Sequence, residues 1–516
     1  MPRTERIAEK VMNENNPKVV VSLEEMPANL YELVTHSMET LYPERVALRT
    51  VAEDGQTVRA WTYAQLTKDV RRTVAYLHAT IPDLKGKKVA VLSRNNYEYA
   101  VLTYGIMLSG AVLVTLNYKK LWAELQYELE LIEPALLFND GIDYGYRKEL
   151  EEEYGSLLRP MDAYKDSQPG ELTNCIDPDG LLLMMFTSGT TGRSKGVMLS
   201  ERNFLSACKM YVAAEAQIPE LRKKYAPAQF QNRPISHFTL VPFFHLSGFI
   251  NLWLYAIHGG YQNICCDPRN FFRDLQLMPS DAISTPPVLI EMIYNEIRRG
   301  HKERLGGLWN MSCSSAALDA RILLALVQEG IFVNQCYSET ELASDGLLNM
   351  EQDEAHIGAL GKPARDTECK VDAYGELCFR GGSVMLGYYK DPEGTAAVID
   401  KDGWLHTGDL ARVDEEGYYY LTGRKKNLII LDSGENINPE ELENLLNGCP
   451  NVRECLVREK GKKICAVVFC DADRQQAVQE FITSTNRTLP LYKRMTAVEF
   501  TAEPLPRNAA GKILRT

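Results

Sequence analysis

A run of six apolar residues, Leu181 to Phe186, passes without a break into Thr187-Ser188-Gly189-Thr190-Thr191-Gly192-Arg193-Ser194-Lys195-Gly196. The run has strand length and no polar alternation, so it fits a strand covered on both faces, as in the interior of a parallel sheet. The segment after it must leave such a sheet at its edge, with backbone N–H groups and hydroxyls on display. Glycine lets the backbone approach a ligand closely, and Ser and Thr add donors without bulk, which is how a chain cradles phosphates. Arg193 and Lys195 add positive charge. The loop is not that of P-loop nucleotidases, because its glycines are three apart and Lys195 is followed by Gly196 rather than Ser or Thr.

The surrounding rhythm predicts the fold. Lys88 to Leu92, the helix-like Tyr97 to Leu108 and Ala111 to Leu116 repeat a strand, helix, strand alternation, the pattern of layered βαβ sheets. From about Ile357 the texture becomes turn-rich, with strands such as Leu377 to Arg380 and Tyr418 to Leu421 between glycine turns, which predicts an antiparallel β-barrel subdomain or small sheet. After Gly423 it changes again. Asn438-Pro439-Glu440-Glu441 is a helix start, a strand pair follows at Cys455 to Arg458 and Ile464 to Phe469, and a helix lies near Arg474 to Thr485. The expectation is a large α/β domain over 1–423 and a small α+β domain over 424–516.

Composition narrows the function classes. A net charge of −12 disfavours nucleic acid as a partner. Ala100 to Tyr118 and Pro234 to Cys266 lack charged side chains, yet both are broken by glycine and polar residues and fit buried α/β elements better than membrane spans. The charged N-terminus has no apolar signal core, so a cytoplasmic protein is expected. The twelve cysteines form no CxxC pair and the histidines no HExxH, so reduced core thiols and no structural metal are expected.

Phe186 to Ser200, FTSGTTGRSKGVMLS, resembles the signature loop of the adenylate-forming superfamily, which includes acyl-CoA synthetases, adenylation domains of peptide synthetases and luciferases. Further motifs of that superfamily follow in order: Pro242-Phe243-Phe244-His245, Tyr337-Ser338-Glu339-Thr340-Glu341, Gly375-Glu376-Leu377, Thr407-Gly408-Asp409-Leu410, Gly423-Arg424-Lys425-Lys426 and Pro506 to Lys512. The resemblance spans nearly the whole chain. It implies ATP and Mg²⁺ as cofactors, with Thr187, Ser188, Gly189, Thr190, Thr191, Gly192 and Lys195 around the phosphates. It further implies Tyr337 beside the adenine, Thr340 on phosphate, Glu341 on Mg²⁺, Asp409 on the ribose and Arg424 on the nucleotide.

Lys512 matches the lysine that bridges carboxylate and α-phosphate during adenylation, and Lys426 the hinge about which the small domain rotates. After rotation Gly434 would border the pantetheine tunnel, while His245 and Phe244 would gate the acyl and thiol channels. Ser338 stands where many relatives carry glycine at the floor of the acyl pocket, Ser194 replaces a common proline and Cys336 a common glycine.

Ile235 to Cys266 holds no acidic residue, so an amino acid is disfavoured as substrate, since its buried ammonium would lack a partner. The aromatic run Phe243, Phe244, Phe249, Trp253 and Tyr255 resembles medium- and long-chain acyl-CoA synthetases. Three readings follow: a ligase joining a fatty or other apolar acid to coenzyme A; a stand-alone ligase loading the phosphopantetheine of a carrier protein in trans; and a non-catalytic nucleotide binder, which intact Lys195, Glu341, Asp409 and Lys512 disfavour.

Overall fold

Two large sheets share one construction, parallel strands in the interior, with antiparallel pairing at one edge of a seven-stranded sheet and at both edges of a nine-stranded one. In the computed structural model the described residues are 21–187, 193–314, 318–430, 436–461, 463–507 and 513–515, with Ile430 and Asn436 described by backbone alone. The chain divides into two compact units, Met1–Cys369 with Phe379–Leu405, and Lys370–Cys378 with His406–Thr516.

In the first unit, the apolar run forms the strand Leu183–Thr187. It lies parallel to Val112–Leu116 on one side and antiparallel to Lys195–Leu199 on the other. The rest of this seven-stranded sheet continues through Lys88–Leu92, Leu136–Asn139 and Leu158–Pro160, while Gly387–Tyr388 covers the opposite edge. Helix Tyr97–Leu108 is buried at every position but Glu98 in its first turn, as a helix enclosed in the core must be. It begins at Asn96, whose side chain accepts a hydrogen bond from Tyr99 N.

The second sheet of this unit has nine strands in the order Lys362–Pro363, Ser344–Asn349, Phe332–Glu339, Asn310–Cys313, Ala282–Thr285, Ser236–Thr239, Tyr261–Ile264, Val46–Val51 and Val58–Thr62. Its interior pairs are parallel, and Phe332–Glu339 turns back antiparallel into Ser344–Asn349. The charge-free stretch 234–266 supplies two of these strands and helix Leu246–Ile257. Among the described residues no helix is long and apolar enough to cross a membrane.

A single buried carboxylate ties this sheet to its surroundings. Asp281, one residue before Ala282–Thr285, is fully buried. Its Oδ1 accepts from Arg222 Nη2 at 2.7 Å and Trp309 Nε1 at 3.0 Å. Its Oδ2 accepts from Ser236 N at 3.0 Å and Ser236 Oγ at 2.7 Å, with Arg233 Nη2 at 3.3 Å. Arg222 is itself only 2% exposed. Asp281 thus joins a helix and the ends of three strands, and its removal would strand a buried guanidinium.

The second unit contains most of a four-stranded sheet, Thr367–Val371, Glu376–Gly381, Leu405–Val413 and Tyr419–Arg424, the dividing line falling within its first three strands. This is the small-sheet form expected from the turn-rich sequence. Beyond it lie helix Pro439–Asn447, capped by Asn438, the strands Glu454–Lys460, Lys463–Phe469 and Met495–Thr501, and helix Gln475–Thr488. Their core is Ile437, Leu442, Leu446, Val468, Val478 and Ile482.

Asp281→Ala is expected to lower the unfolding free energy by about 3–5 kcal/mol, the usual cost of leaving one member of a buried ion pair alone. Urea unfolding followed by fluorescence measures it; a loss under about 1 kcal/mol contradicts the assignment of Asp281 as the anchor.

Candidate active site

The antiparallel edges of the two large sheets carry the residues singled out from sequence. In the first, Thr187 pairs across the hairpin with Lys195. Residues 188–192, hence Ser188, Gly189, Thr190, Thr191 and Gly192, lie outside the described residues. The end of the hairpin is anchored from behind: Lys120 Nζ donates to Ser194 Oγ at 2.8 Å and pairs with Glu128, whose side chain is fully buried. Ser194, unusual in sequence, is thus the hydroxyl that receives this lysine. Arg193 points away, its guanidinium 5.4 Å from the centre of the Tyr127 ring.

In the second sheet, Phe332–Glu339 delivers Tyr337, Ser338 and Glu339, and a short turn, Thr340–Leu342, presents Thr340 and Glu341. Ala343 ends that turn at φ +54°, and the chain reverses into Ser344–Asn349. Tyr337 stacks on Phe379 at 5.7 Å between ring centres, 18° from parallel, and its phenol donates to Glu339. Phe379 can lie so close only because Gly346 has no side chain: a Cβ there would sit 2.5 Å from the ring.

Tyr388 joins the two edges. Its backbone pairs with Val197, its phenol donates to Glu341 Oε1 at 2.9 Å, and the Lys195 ammonium lies 4.3 Å from its ring centre. Burial and the neighbouring Glu341 carboxylate push its pKa above the usual tyrosine value, so it stays a donor. Lys195 Nζ also lies 3.6 Å from Asp391 Oδ2. Gly387, at φ +134°, lets the strand turn under Thr395, whose methyl would be 2.7 Å from an added Cβ. The residues expected on phosphate and metal are therefore held together by a tyrosine that stands outside every ordered motif.

The turn Pro242 to His245 is clamped by Asn95, which donates to Val241 O at 2.9 Å and accepts from Phe243 N at 2.8 Å. His245 caps helix Leu246–Ile257 at the position before its first residue. Its outer edge meets solvent, but crowding by protein atoms, and then Lys119 and Lys120, push its pKa down to about 4. The ring is therefore neutral near pH 7. Phe244 lies 4.5 Å from His245 and edge-on to Tyr118 at 5.4 Å. The other rings of this stretch are spent on packing: Phe243 against Tyr99, and Phe249 and Trp253 against Phe204.

Ser338 stands opposite Asp345, and Ser338, Tyr211 and Cys336 hydrogen-bond the Asp345 carboxyl. Burial outweighs those bonds and raises its pKa from 3.8 to about 6. Nothing in the sequence motifs marked Asp345; only the strand register reveals it.

In the second unit, Asp409 and Arg424 face each other across the strand pair, with Arg424 Nε 2.8 Å from Asp409 Oδ1. Glu376 accepts from Gly408 N at 2.9 Å and Lys425 Nζ at 2.8 Å, which shapes the turn before Asp409. Lys426 is exposed in the short turn Lys425–Asn427. Gly434 and Lys512 lie outside the described residues. The two ends of the segment carrying Lys512 are nonetheless fixed. Arg507 and Ile513 form an isolated antiparallel bridge, Arg507 pairs with Glu454 at 2.8 Å, and Arg515 pairs with Glu443 at 2.6 Å.

The model of the AMP-binding enzyme family matches residues 37–389. A long-chain-fatty-acid–CoA ligase of Escherichia coli O157:H7 is 26% identical, covering 88% of this chain and 89% of its own. A feruloyl-CoA synthase of Amycolatopsis sp is 30% identical over 88% of this chain and 93% of its own. The structure of o-succinylbenzoate CoA synthetase from Bacillus subtilis, in complex with its acyl-adenylate intermediate, superimposes with a TM-score of 0.76 at 25% identity. It covers 94% of this chain and 97% of that one.

Asp345 provides a stability test. Its folded-state pKa lies above its unfolded value, so the folded chain holds the proton more tightly, and the stability it contributes falls as pH rises from about 4 to about 6. Asp345→Asn is expected to gain stability relative to wild type at pH 7 and lose that advantage at pH 4. Urea midpoints at the two pH values measure it, and an equal difference at both contradicts the raised pKa.

Proposed function

Because the chain belongs to the AMP-binding enzyme family, we propose that it activates a carboxylic acid with ATP as an acyl-adenylate, releases pyrophosphate, and transfers the acyl group to coenzyme A. The observation that carries this reading is the junction of Lys195, Tyr388 and Glu341. A carboxylate attacking the α-phosphate is repelled by the negative charge it approaches, so a site for this reaction needs cationic charge and a metal-binding oxygen close together. Lys195 supplies the first and Glu341 the second.

The donors suit the metal. The Glu341 carboxylate is a hard oxygen ligand of the kind Mg²⁺ takes, oriented by the Tyr388 phenol, and the neighbouring Thr340 hydroxyl would donate to a phosphate oxygen. When bound, Mg²⁺ would neutralise phosphate charge and draw electron density from the α-phosphorus. Thr187 and Lys195, at the two ends of the hairpin, hold the phosphates in place. The Tyr337 ring, backed by Phe379, offers a flat apolar surface to the adenine. Asp409 would accept hydrogen bonds from the ribose hydroxyls and Arg424, paired to it, would contact the nucleotide. Neutral His245 at the end of its helix lines the entrance without adding a charge that would trap either anion.

Lys512 completes the charge around the reacting carboxylate during adenylation. Residues 424–516, turning about Lys426, then withdraw it so that a thiol can enter beside Gly434. The paired anchors Arg507–Glu454 and Arg515–Glu443 support this role, since they hold both ends of the segment in place. Transfer to a carrier-protein phosphopantetheine is the second reading, distinguished by the acceptor. A fatty acid was expected from the aromatic run, but its rings Phe243, Phe249 and Trp253 pack against core aromatics, which leaves the character of the acid to the cavity lining.

Pyrophosphate release that requires both a carboxylic acid and Mg²⁺ is the expected result, with thioester formed on coenzyme A and not on a holo-carrier protein. Lys512→Ala should abolish adenylation and largely spare thioester formation from pre-made acyl-adenylate; equal loss of both half-reactions would remove the domain-rotation scheme. Tyr388→Phe should keep ATP binding while slowing pyrophosphate release about tenfold, the worth of one oriented hydrogen bond to a charged group. An unchanged rate would show that Glu341 needs no such support.

A further inference from the structure

A cavity of about 60 Å³ lies between the nine-stranded sheet and the helices packed on it, lined from Tyr211 to Met350 in sequence. It has room for a few water-sized groups. Asp345 is part of its lining and is the register partner of Ser338, three residues before Glu341, so the cavity and the candidate active site share one strand pair.

Its wall is unlike the interior of a parallel sheet. Such strands are covered on both faces and carry Val, Ile and Leu. Here Ser284, Ser312 and Asn334 are register partners on three adjacent parallel strands and form one polar row across the sheet. All three line the cavity and none is fully buried, although their strands lie inside the sheet. Burying polar groups in such a row without partners costs free energy.

The row is also poorly satisfied. Among the described residues, Ser312 Oγ meets only Cys336 Sγ, at 3.8 Å, and the Asn334 amide nitrogen meets only Met350 Sδ, at 3.7 Å. Among the described residues the side-chain Oδ1 of Asn334 has no hydrogen-bond partner. Sulfur is a weak hydrogen-bonding group, so both side chains retain unused capacity. Their neighbour His237 is different. Its Nε2 accepts from Ser284 N at 3.0 Å, and its Nδ1 lies 3.0 Å from Thr239 Oγ1, whose hydroxyl donates onward to Gln262. Both ring nitrogens are engaged, and the ring is a neutral part of the wall.

The geometry points to this row as the specificity determinant for the acid: Asn334 and Ser312 receive a neutral hydrogen-bonding group, a hydroxyl, carbonyl or amide, carried remote from the reacting carboxylate. This rests on the acid-activating function proposed above and makes the preferred substrate a substituted, polar acid rather than a plain alkyl chain. Charge in the lining supports neutrality. Asp345 and Glu215 border the cavity, and no lysine or arginine does so among the described lining residues, so a second carboxylate would meet repulsion without compensation. Glu215 is already paired with His258 Nε2 at 2.7 Å, and Asp345 is already bonded by Tyr211, Ser338 and Cys336, so neither waits for an ammonium.

The test uses the full chain and shape-matched aryl acids that differ in one remote substituent: hydroxyl, methyl, ammonium-bearing aminomethyl or carboxylate, with straight-chain alkyl acids alongside. The readout is acid-dependent pyrophosphate release. The hydroxyl acid is expected to exceed its methyl analogue by about tenfold or more in kcat/KM, because a site built for a hydrogen bond penalises its absence. Asn334→Leu should remove that preference by weakening the hydroxyl acid and sparing the methyl one. Ser312→Ala, a smaller change, should reduce it in the same direction and keeps the test informative should the leucine variant fail to fold.

Methyl or alkyl acids preferred by the wild type, the best rate with the ammonium or dicarboxylic acid, or variants that slow all acids equally would each overturn the assignment. Pyrophosphate release with none of the acids, despite ATP binding, would overturn the proposed function itself, and this inference with it.

Discussion

Asp281 is the constraint on which the rest of the first unit leans. A carboxylate with no exposed surface is tolerable only if its charge is matched and its lone pairs are used, and Arg222, Arg233, Ser236 and Trp309 do both. These partners come from a helix, the approach to Ser236–Thr239 and the approach to Asn310–Cys313, so three neighbouring strands start from one fixed point. The alignment of Ser284 with Ser312 follows directly. A slip of one residue would turn every side chain of a strand to the other face, and the cavity would lose its polar row.

From that fixed end the strands run to the opposite edge, where chemistry is possible. Interior parallel strands have their hydrogen-bonding groups committed on both sides, whereas the pairs Leu183–Thr187 with Lys195–Leu199 and Phe332–Glu339 with Ser344–Asn349 are antiparallel. Each pair carries part of the proposed site. The short strand Gly387–Tyr388 adds to the first sheet and sends a phenol to the carboxylate on the second. A single side chain thereby sets the spacing between a lysine and a glutamate borne on separate sheets.

The motifs were legible because each packs its chemistry into consecutive residues. The alternation of strands and helices was equally plain, and Lys88–Leu92, Tyr97–Leu108 and the capped helix at Asn438 stand where the pattern puts them. The aromatic run between Phe243 and Tyr255 read as an acyl pocket, because sequence reports that rings are present and not what they face. Three of those rings, Phe243, Phe249 and Trp253, pack against the core aromatics Tyr99 and Phe204. Conversely, Ser284, Ser312 and Asn334 are about 25 residues apart and belong to no motif; only the pairing of three strands makes them a surface.

By itself the sequence determined the reaction class, through ordered loops whose glycines, hydroxyls, carboxylates and lysines are needed at short range and therefore lie side by side along the chain. It also determined the layered α/β architecture, since hydrophobic periodicity is a local property. The tertiary structure alone decided what joins Glu341 to Lys195 and what lines the cavity bordered by Asp345. Those are long-range juxtapositions, governed by strand register and by buried charge, and no stretch of consecutive residues encodes them.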